Sequence, residues 1–225
     1  HELHASGWRL VYASNNTSKT IADYEQKLSF LGFPNTKGNV LTPLIPITDW
    51  LKESNYRKVW ILAPRNVQEY IETIGGVKSD PNADIVIVCF DRTLTYEKLK
   101  IACELINSGT PYVVSHTDLC CPTKLGPIPD CGLFQQLIES TTGIQPITQF
   151  GKPSAHYLAA LKEKFIKNDI PVYFVGDKLA TDIQTGLSLG VTPVLISKKD
   201  CRTNLADKIL VYPDVATFIS KEIQT

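Results

Sequence analysis

The 225 residues contain no methionine, and the chain opens at His1. A protein of this length ordinarily carries several methionines, so together these features predict that the gene product is longer than this chain. Long apolar runs are also missing. Nothing approaches the roughly 20 residues of a membrane span, and no signal-peptide pattern opens the chain, so no membrane partner is expected and a cytoplasmic location is the default. There is no excess of either charge: 23 basic residues balance 23 acidic ones. That balance argues against a nucleic-acid surface built from bulk charge and leaves room only for a local basic pocket. The six cysteines, Cys89, Cys103, Cys120, Cys121, Cys131 and Cys201, form no CxxC pair and have no histidine spacing that would make a zinc site. Several lie in apolar patterns and are expected to be reduced core thiols, with Cys120 and Cys121 the two open to exposure. No GxGxxG or Walker loop is present, which disfavours a nucleotide-binding module. No internal repeat or low-complexity segment stands out.

What is present is organised around Val172–Ile183, VYFVGDKLATDI. Four β-prone residues run into Gly176 and Asp177, a second carboxylate follows at Asp182, and Ile183, Leu187 and Leu189 then recur at helical spacing before Gly190. Val191–Ile196 reads as another buried strand. This is a strand-turn-helix-strand unit of a parallel sheet, and ligands of such sheets collect outside the carboxyl ends of the strands, where Asp177 falls. Two acids at i and i+5 behind a glycine could present oxygens to one hard cation or to cationic neighbours. Equally, Asp177 could simply end a strand and Asp182 cap a helix.

Other segments repeat the alternation. Trp8–Ala13 reads as a strand ending in Ser14-Asn15-Asn16-Thr17-Ser18, with a helix over Ile21–Leu31 closed by Gly32. A hydroxyl and free N–H groups at a helix start suit an anion, although plain capping explains the same residues. Val40–Ile45 is a strand candidate and Trp50–Leu51 sit in a helix. Then come strand Val59–Ala63, helix Val67–Ile74, strand Ile85–Phe90, helix Tyr96–Asn107 and strand Tyr112–Ser115, which predict a second small α/β unit. His116–Pro129 is a long polar loop of the kind that tends to carry function, and Asp130 caps a helix over Leu133–Ile138. In Gly151-Lys152-Pro153-Ser154, Pro153 suits a first helical turn and sets the Lys152 ammonium at the positive end of a helix dipole. That placement calls for an anion, phosphate by preference, against the plain reading of a surface lysine.

The order of YASNNTSKT, CFDRTLTYEKL, CPTKLGPIPDCG, FGKPS and VGDKLATDIQTGLSLG resembles the haloacid dehalogenase-like phosphatase superfamily, in the branch of p-nitrophenylphosphatases and pyridoxal-phosphate phosphatases with an inserted α/β cap. The resemblance covers essentially the whole chain. It implies an α/β fold, a Rossmann-like parallel-sheet core with an inserted α/β cap, divided as core 1–49, cap 50–146 and core 147–225. It implies a Mg²⁺-dependent phosphatase acting on a small phosphorylated metabolite. Ser14 would bind the transferred phosphoryl group, with Asn15 and Asn16 at the phosphate. Lys152 would neutralise phosphoryl oxygens and nucleophile, Asp177 would ligate Mg²⁺, and Asp182 would hold the metal's water or Lys152. Positioning and charge neutralisation of this kind are what phosphoryl transfer requires. Substrate selectivity is expected from the long loop, with His116, Asp118 and Lys124, and two copies would pair through the cap.

The first motif of the family, two aspartates in a DxD, is not found upstream of Ser14. The nucleophile of a phospho-aspartyl intermediate is therefore expected before His1, with about 30 residues that would supply the central strand. An internal rival is Asp91-Arg92-Thr93-Leu94-Thr95, with Ser115 as its second motif. A different class of function also stays open, a non-catalytic phosphate- and metal-binding homologue without the nucleophile.

Overall fold

The computed structural model describes residues 2–167, 170–198 and 208–223. Cys201, one of the expected thiols, lies outside the described residues, as does His1. After a first helical turn, α1 (Glu2–Ala5), the chain enters β1 (Tyr12–Ala13), α2 (Ile21–Phe30) and β2 (Val40–Leu41). Only Tyr12 and Ala13 of the predicted Trp8–Ala13 strand pair, in parallel with Val40 and Leu41. Ladder length depends on the neighbour, and here the neighbour is two residues long. Helix α2 begins where expected because Thr20 and Asp23 form a reciprocal capping box.

The second strand stops early because Thr42-Pro43 turns the chain into α3 (Leu44–Glu53). There follow β3 (Lys58–Leu62), α4 (Arg65–Gly75), β4 (Lys78–Ser79), β5 (Ile85–Val88), α5 (Tyr96–Asn107) and β6 (Tyr112–Val114). The predicted long loop contains a small antiparallel hairpin, β7 (Cys120–Cys121) with β8 (Ile128–Pro129). Then come α6 (Cys131–Thr142), capped by the Asp130 carboxylate on the Cys131 N–H, and β9 (Thr148–Gln149). Five strands form a wholly parallel sheet in the order β4-β3-β5-β6-β9, with Ile61, Ile87 and Val113 in register.

Both faces of this sheet are covered, which is why β5 reads IVIV without polar alternation. Ile85 and Ile87 face α3 and α4, packing with Leu44, Ile47, Leu51, Val67 and Ile71. Val86 and Val88 face α5 and α6, packing with Ala102, Ile106, Phe134 and Ile138. Close approach is built in at Gly75, where a Cβ would lie 3.1 Å from Leu51 Cδ1.

The chain then makes α7 (Ala155–Phe165), β10 (Tyr173–Gly176), a π-helical turn over Leu179–Ile183, α8 (Gln184–Leu189), β11 (Thr192–Ile196), β12 (Leu210–Tyr212) and α9 (Val215–Glu222). Strands β10, β11 and β12 form a second parallel sheet, and β1 with β2 a third. Ala13 of β1 and Phe174 of β10 join one apolar cluster with Tyr157 and Leu161 of α7. Among the described residues, β1 pairs only with β2 and β10 only with β11, and Val175 of β10 is 39% exposed. Pro153 does not open α7. Ser154 is the N-cap, its hydroxyl accepting the Tyr157 N–H, and the Lys152–Pro153 bond is cis. Pro153 therefore stands before the cap residue and not in the first turn as predicted, while Lys152 lies two residues ahead of the cap, close to the helix start. No helix among the described residues is long and apolar enough to cross a membrane.

Replacing Ile87 by Ala should cost about 2–5 kcal/mol in urea denaturation, because Ile87 is wholly buried at the sheet centre. Phe30→Ser, at a side chain 91% exposed, should stay within about 0.5 kcal/mol. Equal losses at the two positions would contradict the layer packing.

Candidate active site

The carboxyl ends of β1, β6 and β10 converge on a cleft of about 350 Å³ whose lining includes Ser14, Asn15, Asn16, Lys152, Asp177 and Asp182. All six residues singled out from the sequence thus meet at one place.

The loop after β1 is stiffened by its own side chains. Ser14 Oγ accepts the Asn16 N–H at 3.2 Å, and Asn16 Oδ1 accepts from the Ser18 N–H, the Ser18 hydroxyl and the Tyr24 hydroxyl. Loss of hydration pushes the Tyr24 phenol up to about 12, so it stays a donor. Thr17 Oγ1 accepts the Phe90 N–H at 2.9 Å and lies 3.0 Å from Ser115 Oγ, fastening this loop to the ends of β5 and β6. Asn15 is buried and uses both ends of its amide on protein. Its Oδ1 accepts the Lys152 N–H at 2.7 Å and its Nδ2 donates to Asp118 Oδ2 at 3.3 Å.

Lys152 is also buried. Its ammonium donates to Asp182 Oδ1 at 2.6 Å and to the Ala13 carbonyl at 3.2 Å, and lies 5.9 Å above the Phe174 ring. Asp182 turns its other oxygen to the backbone, where Oδ2 accepts the N–H groups of Asp177 and Lys178 at 3.1 Å each. The π-helical turn carries Asp182 back over Gly176, and a Cβ on that glycine would fall 2.3 Å from Asp182 Cβ and Cγ. Glycine is required there by contact. Such turns recur at functional sites.

Asp177 differs from its neighbours. It is exposed at the cleft, and among the described residues its carboxylate has no hydrogen bond or ion pair. A Mg²⁺ ion usually takes one or two protein carboxylates and fills its octahedron with phosphate oxygens and water, so a free carboxylate of this kind fits as one ligand. No group of three or more His, Cys, Asp or Glu side chains among the described residues could hold a metal unaided.

Two sequence alternatives are corrected. The Asp91 carboxylate is fully buried, accepts the Thr93 N–H and hydroxyl at 2.7 Å each, and pairs with Lys98 at 2.7 Å. Ser115 is occupied by Thr17 and Cys131, and neither Asp91 nor Ser115 lines the cleft. The resemblance of that segment to a first motif is local only. Lys124, named for selectivity, is exposed and also outside the lining.

Sequence reasoning missed Lys178 and the position of Asp130, which both line the cleft. Lys178 pairs with Asp118 at 3.3 Å, linking the loops after β10 and β6. Asp130, foreseen only as a helix cap, is pushed up to about 6 by burial. The signal was weak in both cases, since each depends on segments that meet only in the folded chain. The Cys89 and Cys131 thiols are buried and pushed up by desolvation, as unreactive core thiols should be.

This geometry belongs to a recognisable class. Residues 1–76 match the haloacid dehalogenase-like hydrolase family and residues 149–219 match a HAD-hydrolase-like family. A solved NagD protein shares 30% identity and superposes with a TM-score of 0.87 over 98% of this chain and 87% of that one. The chain belongs to the haloacid dehalogenase-like hydrolases. It is also similar to the 4-nitrophenylphosphatase of Thermotoga maritima, at 29% identity and a TM-score of 0.86 over 97% of this chain and 88% of that one. Among curated relatives, the 5'-nucleotidase YutF of Bacillus subtilis is 27% identical over 83% of this chain and 73% of its own length. An acid sugar phosphatase of Staphylococcus aureus is 28% identical over 85% and 74%.

Removing Lys152 would strand a buried carboxylate. Lys152→Ala should destabilise the fold by about 3–5 kcal/mol, whereas Asp177→Ala should stay within about 0.5 kcal/mol. Equal denaturation midpoints for the two variants would show that the Lys152–Asp182 pair does not hold this site together.

Proposed function

We propose that this protein is a phosphatase that hydrolyses a small phosphate monoester with the help of Mg²⁺. The observation that carries the reading is the buried Lys152 held against Asp182 beside the Ser14 loop, with the Asp177 carboxylate, which has no partner among the described residues, in the same cleft. Relatives named as a 5'-nucleotidase, an acid sugar phosphatase and a 4-nitrophenylphosphatase support it.

In this reading the Ser14 hydroxyl donates to a phosphoryl oxygen while its lone pair accepts the Asn16 N–H, so that the donor direction is set before substrate arrives. Lys152 supplies positive charge to the phosphoryl oxygens. Its ammonium is fixed by Asp182 and the Ala13 carbonyl, so it needs no reorganisation in the transition state. Asn15 sets the Lys152 backbone and acts as a positioning residue. Asp177 would hold Mg²⁺, which when bound neutralises developing phosphoryl charge.

In this reading the nucleophile is an aspartate upstream of Ser14. Its carboxylate attacks phosphorus, the alcohol leaves, and water then cleaves the acyl phosphate. The five-stranded sheet with its helices is the cap, which through β9 at Thr148–Gln149 runs just past the expected boundary at 146, and Cys120 and Cys121 of its hairpin line the cleft. Asp118 joins the two parts through Asn15 and Lys178.

The full-length protein should release p-nitrophenol from p-nitrophenyl phosphate in Mg²⁺ and stop in a chelator. Asp177→Asn should raise the Mg²⁺ concentration needed for half-maximal rate by about tenfold or more, and Asp91→Asn should leave the rate within about threefold. Turnover that persists in the chelator, or an unchanged Mg²⁺ requirement in Asp177→Asn, would overturn the reading. Phosphate binding without turnover would instead favour a non-catalytic binding homologue.

A further inference from the structure

Ser14 stands at a seam. Its N–H donates to the Leu41 carbonyl of β2 at 2.9 Å, and its own carbonyl accepts the Tyr157 hydroxyl of α7 at 3.2 Å. The next three residues turn to other partners. Asn15 Nδ2 donates to Asp118 Oδ2 at 3.3 Å, Asn16 Nδ2 reaches Cys121 Sγ at 3.9 Å, and Thr17 Oγ1 accepts the Phe90 N–H at 2.9 Å. Phe90 follows β5, Asp118 follows β6, and Cys121 lies in β7, so all three belong to the five-stranded sheet and its hairpin. The Ser14 hydroxyl thus sits between a backbone held by β2 and α7 and a loop held by the other part of the molecule.

Thr17 makes the firmest of these contacts. Its side chain is fully buried and is not part of the cleft lining. Besides the Phe90 N–H, Oγ1 meets Ser115 Oγ at 3.0 Å. The Ser115 hydroxyl donates to Cys131 Sγ at 3.4 Å, and that thiol donates to the Val88 carbonyl at 3.3 Å. A backbone N–H opens this chain and a backbone carbonyl closes it, so one proton direction satisfies every member: Thr17 donates to Ser115. Little slack separates Thr17 from the Ser14 hydroxyl, because Ser14 Oγ accepts the Asn16 N–H and Asn16 Oδ1 accepts the Ser18 N–H, spanning the residue on either side.

We propose that Thr17 is a positioning residue that pegs the Ser14 loop to the ends of β5 and β6, so that the Ser14 hydroxyl is aimed at phosphate only while the two parts of the molecule are in register. Its role rests on the phosphatase reading, which gives Ser14 the phosphoryl group. Without the Thr17 hydroxyl the buried Phe90 N–H has no acceptor, and the loop must shift to relieve it. Displacing a positioned donor by about 1 Å is enough to lose an order of magnitude or more in its effect.

Thr17→Val keeps the side-chain shape and removes the hydroxyl, whereas Thr17→Ser keeps the hydroxyl. Calorimetry on the full-length protein with tungstate in Mg²⁺ should find Thr17→Val about tenfold or more weaker than wild type. Thr17→Ser should bind within about threefold of wild type. Ile87→Ala, buried in the same sheet and outside the cleft lining, controls for lost stability and should also bind within about threefold. Thr17→Val binding as tightly as wild type, or no more weakly than Ile87→Ala, would overturn the peg and leave the phosphate site standing. Should Thr17→Val fail to fold, hydrogen exchange in the wild-type protein decides the matter. Tungstate should slow the amides of Asn16, Ser18 and Phe90 by the same factor, because loop and peg open together. Slowing at Asn16 and Ser18 with Phe90 unchanged would overturn the peg. Wild-type protein that binds no tungstate would overturn the phosphate site and the peg together.

Discussion

The ion pair between Lys152 and Asp182, 2.6 Å long and buried, is the contact on which the rest of this site depends. One carboxylate oxygen takes the ammonium and the other takes two successive backbone N–H groups, so a single side chain fixes both a lysine and the turn that presents Asp177. The ammonium in turn reaches the last carbonyl of β1. Three segments distant in sequence, ending at Ala13, Lys152 and Asp177, are thereby held in one geometry. A buried pair of this kind is weak evidence for net stability, because desolvation offsets much of the attraction. Its value lies in position. A charge that is already oriented and already dehydrated acts on an incoming anion without further reorganisation.

Around that pair the cleft carries both signs of charge, Lys152 and Lys178 among Asp118, Asp130, Asp177 and Asp182. Each lysine is paired there, Lys152 with Asp182 and Lys178 with Asp118. Ser14 follows β1, whereas Asp118 and Lys152 follow β6 and β9 of the five-stranded sheet. Asn15 bridges them, accepting from Lys152 on one side and donating to Asp118 on the other, so the distance between these segments is set by protein contacts before any ligand enters.

Much of this could be read from the sequence, for reasons that differ by element. Strand β5 was legible because burial on both faces turns it into an unbroken apolar run, and α5 because Thr95 caps it and Gly109 follows it. Ser14, Lys152, Asp177 and Asp182 were legible because each stands just beyond a strand or before a helix, in a familiar order. The short length of β1 was not, since a ladder is only as long as its partner. The β7–β8 hairpin has two residues a side and no periodicity to betray it. Pro153 looked like a first helical residue, but the Ser154 hydroxyl caps the helix one residue later. The pairing of Lys178 with Asp118 and the approach of His116 to Asp130 are tertiary events with no local signature. Asp91 misled in the opposite direction, because a strand followed by an aspartate is local and its burial against Lys98 is not.

The most direct test of the central claim is a crystal of the full-length protein soaked in tungstate and Mg²⁺. The account predicts anomalous density for the oxyanion in the cleft, within hydrogen-bonding reach of Ser14 Oγ and Lys152 Nζ, with the Lys152–Asp182 contact intact. Tungstate bound elsewhere on the surface while this cleft stays empty would contradict it.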